Sequence, residues 1–149
     1  MSATMNKAGA LERIFDEGHG PTAWHGNNLR AAIDNVSPEL AFRRPGKGRH
    51  NIAEIALHHA FVIRNVRAQL TGSKPEPFIL DGEDWFVLDD QKTLKWTAVQ
   101  KVLDDEQRKL AKLLASSSPD RLDLILGLTC HAVYHAGQIQ LIKVLAGDR

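Results

Sequence analysis

Apolar residues recur along most of the chain at the three-to-four spacing of a helix face. From Asn51 to Leu70 the set is Ile52, Ile55, Ala56, Val62, Ile63, Val66 and Leu70, one stripe of a second helix. From Leu94 to Ala115, the residues Val99, Val102, Leu103, Leu110, Leu113 and Leu114 make the inner side of a third. A fourth runs from Asp120 to Leu145 and is stopped by Gly147. Ahead of these, the pattern predicts a first helix with a short lead over residues 7–17. Its main part begins after Pro21, whose missing N–H suits a first turn, and runs to Val36, where Ser37-Pro38 ends it. Breaks rich in Gly, Pro and Ser fall at residues 18–21, 45–48, 72–77 and 116–119. The long connection over 72–93 carries Phe78, Ile79, Leu80, Trp85, Phe86 and Val87, so it should pack down on the helices, with a short helical turn of its own. No segment alternates in the manner of a strand. The expectation is an all-α four-helix bundle, a single domain over residues 1–149, with a long loop between helices two and three.

Composition narrows the function classes. With 19 Lys and Arg against 18 Asp and Glu, intermixed, the chain shows no broad basic stripe for a nucleic acid. Its densest basic stretch, Arg43, Arg44, Lys47 and Arg49, is interrupted by Pro45, Gly46 and Gly48 and reads as a solvated loop. The one cysteine, Cys130, rules out an intrachain disulfide and a cysteine-based zinc site. It falls about 100° from His131 on the helix wheel, which predicts sideways packing rather than a nucleophile. There is no run of 18 apolar residues and no signal-peptide pattern, so no membrane span is expected and the cytoplasm is the default location.

Chemistry concentrates in the histidines, of which there are seven. His131 and His135 stand one turn apart, about 40° from each other around the helix axis. Leu124, Leu128 and Ile142 share that face, so both imidazoles point inward. A pair like this either hydrogen-bonds across the bundle or chelates a metal ion, since neutral imidazole is a good ligand for zinc and nickel. Gly127, four residues earlier, would leave room for an ion or ligand. The pair lacks the Glu that follows the first His in zinc proteases, and the Glu-x-x-His repeat of di-iron bundles is absent. A third ligand would come from His58 or His59 on helix two. Helical periodicity favours His59, at the centre of the apolar face; His58 lies to one side, nearer Ile55 and Val62.

Neighbouring residues carry paired readings. Gln138, one turn beyond His135, either hydrogen-bonds a ligand or packs. Tyr134 either donates a proton or fills the core. His25 is a candidate to approach the metal from helix one. Glu54 either orients His58 or is solvated, with solvation the simpler reading. Trp24, Trp85 and Trp96 read as core or pocket wall.

Two motifs then align with a known family. Glu54-Ile-Ala-Leu-His58 and His131-Ala-Val-Tyr-His135-Ala-Gly-Gln138-Ile139 resemble the signature of the DinB-like superfamily, the DinB and YfiT-like bundles. Gly20-Pro-Thr-Ala-Trp24-His25-Gly26, Arg44-Pro45-Gly46 and Glu83-Asp84-Trp85 fit a branch of it, extending the resemblance over residues 9–145. At 50–51 the chain has His-Asn where many members carry Trp-Ser, a change bearing on the helix cap more than on the site. The resemblance implies a four-helix bundle in which His58, His131 and His135 hold one divalent ion, commonly zinc or nickel. It further implies a homodimer formed through helix faces. For some members it implies transfer of a low-molecular-weight thiol (bacillithiol, mycothiol or glutathione) to a small-molecule electrophile in detoxification or stress response. Three protein ligands leave positions open on the ion, so the same site would serve a hydrolase, or a metal-binding stress protein without turnover.

Overall fold

In the computed structural model, which describes residues 7–147 apart from Thr22 and Ser118, the long helices form where the apolar periodicity is strongest. The elements are α1 (Lys7–His19), α2 (Leu29–Ile33), α3 (Pro38–Phe42), α4 (Ile52–Thr71), α5 (Trp96–Ser116) and α6 (Leu122–Ala146), with no strand among the described residues. Asn51 starts α4 by accepting a hydrogen bond from Glu54 N at 2.9 Å, and Gly72 ends it in the left-handed conformation, φ 66°. α1 and α4 each pack against both α5 and α6, which makes a four-sided bundle with α1 diagonal to α4. The close approach of α1 to α6 depends on Gly18, where a Cβ would lie 2.8 Å from the Cβ of Ala132. The core joins Phe15, Leu29, Ile33, Leu57, Ile63, Leu103, Leu110, Ile125 and Ile139, all buried. No helix among the described residues is long and apolar enough to cross a membrane.

The first third of the chain differs from the periodicity reading. In place of a main helix from Pro21 to Val36, α1 runs to His19 and the described residues among 20–28 are irregular; α2 spans five residues. The cause is Asn28, whose Oδ1 accepts from Ala31 N at 2.8 Å while its amide donates to Gly20 O, so its side chain replaces a helical turn. Ser37-Pro38 starts a helix instead of ending one. Ser37 Oγ caps Leu40 N at 3.2 Å and Pro38 takes the first position of α3.

The connection between α4 and α5 packs down as its apolar content demands, with Phe86 and Leu88 buried and Phe78, Leu80 and Trp85 half-buried, while Ile79 and Val87 stay exposed. It contains no helix; side chains of the α4 cap and first turn hold its backbone instead. Asn51 donates to Leu88 O at 2.6 Å, and Leu88 N donates to Glu54 at 2.9 Å.

Candidate metal centre

The α4–α6 contact brings His58 against the two histidines of α6. His58 Nε2 lies 3.1 Å from His131 Nε2, which lies 3.0 Å from His135 Nε2. Candidate ligand nitrogens of the three rings all fall within 4.8 Å of one another. Two nitrogens at tetrahedral angles around zinc are separated by about 3.3 Å, so the triangle is the right size for one ion. Burial keeps the two imidazoles of α6 neutral. His131 and His135 are both held down to about 4, mainly by desolvation, with neighbouring imidazoles adding to it at His131 and the Gln138 bond opposing it at His135. Neutral rings offer lone pairs at neutral pH.

Each ring is also held from behind. His58 Nδ1 donates to Asp84 O at 2.9 Å, His135 Nδ1 donates to Gln138 Oε1 at 2.7 Å, and His131 Nδ1 faces His59 Nδ1 at 2.7 Å. All three Nε2 atoms are thereby turned to the shared centre, the arrangement that a metal-binding histidine requires. Trp85 adds a lateral wall. Its ring stacks on His58 at 3.9 Å and on His50 at 3.8 Å, nearly parallel to both. His50 Nδ1 lies 2.8 Å from Glu54 Oε2. The cluster borders a cavity of about 710 Å³, with His135, Gln138, Tyr134 and Trp85 on the near side.

The same chain matches the model of the DinB superfamily over residues 22–141. The chain belongs to the DinB superfamily. No curated protein and no solved structure matches it.

Within this DinB bundle the structure brings together His58, His131 and His135, a cluster able to hold a metal ion. His59, which periodicity favoured, is wholly buried behind His131 instead of in the triangle; both neighbours on α4 point inward, and only the position of α6 separates their tasks. Gln138 sits against His135. Tyr134 is not a core residue: it is 62% exposed, and its hydroxyl accepts from Gln138 Nε2 at 3.0 Å. His25 is exposed and lies outside the cluster, with Nε2 2.7 Å from Glu17 O, because the described residues among 20–28 are not helical.

Glu54 is not solvated but buried. Arg44 donates to it at 3.0 Å, so its carboxyl is held below the ordinary range, the Arg44, Leu88 and His50 bonds outweighing desolvation, the largest single effect. It anchors loops and does not touch His58. Gly127 and Cys130 are exposed, and Trp24 is 85% exposed, so none of these lines the site. Sequence reasoning missed Asp84 and His50 as partners of the cluster, while Trp85, read as core or pocket wall, is the wall that stacks on His58. The Glu83-Asp84-Trp85 motif was the one signal pointing to Asp84.

Proposed function

We propose that this DinB protein is a metal-dependent S-transferase, in which His58, His131 and His135 hold a divalent ion, zinc or nickel, and a low-molecular-weight thiol is joined to an electrophile. The observation that carries the reading is the convergence of three individually oriented imidazoles beside a cavity large enough for a small molecule. When bound, the ion supplies a Lewis acid that lets a thiol give up its proton near neutral pH. The chain's own residues position and enclose. Gln138 fixes the His135 ring, Asp84 fixes His58, and Trp85 closes one side against water. Tyr134, hydrogen-bonded to Gln138 at the cavity, is placed to donate a proton to a leaving group. The working unit would be a homodimer, a second copy covering the apolar outer face of α6.

The test is to follow a free thiol (glutathione, bacillithiol or mycothiol) with the zinc-loaded chain and a haloalkyl or haloaryl electrophile. Thiol consumption that needs protein, ion and electrophile together supports transfer. Electrophile or ester cleavage without thiol would instead identify a hydrolase. Stoichiometric metal with neither reaction would leave a binding protein.

A further inference from the structure

The basic stretch at Lys47 and Arg49 reads from sequence as a solvated loop, yet it forms one wall of the cavity beside His135. Facing it are Ile55, Leu141, Ile142 and Leu145, and among the described residues no Asp or Glu lines the space. In a chain with 19 basic and 18 acidic residues, a lining with two cations and no carboxylate is a local bias. Both side chains are also unspent. Most basic groups of the bundle sit in ion pairs, as Arg44 does with Glu54 and Arg67 with Glu106, but neither Lys47 nor Arg49 is paired among the described residues.

The loop that carries them is fixed in place. Arg44 donates to Arg49 O at 2.7 Å, and the same guanidinium is held by the buried carboxylate of Glu54. Arg49 N donates to Gly46 O at 3.2 Å, closing a turn. The two cations therefore stand over the cavity mouth on a braced turn. Because the apolar wall continues on α6, the space has a charged end and a greasy side.

We infer that the molecule this site accepts is an organic anion, a carboxylate or phosphate group carried on an apolar body. The inference rests on the proposed function for its chemistry, but not for its binding. Lys47 and Arg49 would take the anionic group, Arg49 by its planar fork, and Ile55, Leu141, Ile142 and Leu145 would take the body. The reacting group would then extend towards His135.

Calorimetric titration of the full chain, metal-free and zinc-loaded, with octanoate, octyl phosphate, octanol and octylamine tests this. The metal-free chain should bind both anions about tenfold more tightly than octanol, with octylamine weakest. That margin should shrink as salt is raised. It should vanish in Lys47→Ala/Arg49→Ala, which keeps the affinity for octanol, and Leu145→Ala should weaken octanoate and octanol alike. The tighter of the two anions names the head group. Equal binding of octanol and octanoate, no binding of any probe, or an anion preference that survives the double substitution would overturn the inference. A chain that takes up no zinc but still prefers anions through the loop would sink the metal reading and leave this one standing.

Discussion

The Nδ1 atoms of His59 and His131 lie 2.7 Å apart inside the core, and one of them must carry the proton between them. With the proton on His131, its Nε2 keeps a lone pair facing His58 and His135, which is the tautomer a metal ligand needs. His59 is fully buried, and burial holds its pKa well below the ordinary value, so it serves as a neutral acceptor. His59→Phe keeps bulk and removes the nitrogens. Zinc affinity in a chelator competition is expected to fall by about 10- to 100-fold, with helix content retained. Unchanged affinity would reduce His59 to packing.

At the scale of elements, α6 is apolar on both sides. Ile125, Leu128, Ala132, Ile139 and Ile142 face the core, while Leu122, Leu126, Val133 and Val144 form an exposed stripe apart from the cavity wall at Leu141 and Leu145. A stripe of this kind on a long helix suits burial against a like helix. Light scattering is expected to show a dimer for the native chain and a monomer for Leu126→Asp/Val144→Asp, two positions outside the cavity. A native monomer at tens of micromolar would contradict the pairing. The long helices α4, α5 and α6 were legible in sequence because α4 and α5 carry an apolar period and α6 a long apolar run, closed at Gly72, Ser117 and Gly147. The region from Gly20 to Phe42 was not, since it is built from side-chain caps at Asn28 and Ser37 that break a period without disturbing its composition.

Across the whole molecule, burial lowers the basicity of four imidazoles. His19, His131 and His135 are held down to about 4 and His59 well below its ordinary value, in each case chiefly by burial, against 6.5 for an unfolded chain. Between those values the unfolded chain binds more protons than the folded one, so stability rises with pH across that window and levels off above it. The melting temperature of metal-stripped protein should be flat above about pH 7 and fall as pH drops from 6.5 towards 4. A melting temperature that held or rose on acidification would contradict neutral buried rings. The i, i+4 spacing made His131 and His135 legible as a pair. What closes the site was not, because Asp84 and Trp85 reach His58 from a connection 26 residues on, and spacing says nothing about such returns.

On this reading, three Nε2 atoms from α4 and α6 hold one ion. The most direct test is the zinc content of the purified, untagged chain at equilibrium, beside His58→Ala and His131→Ala. The account predicts about one tightly held ion per native chain and none that survives gel filtration in either variant. A native chain that stays metal-free when offered zinc and nickel, or variants that keep a full ion, would contradict it.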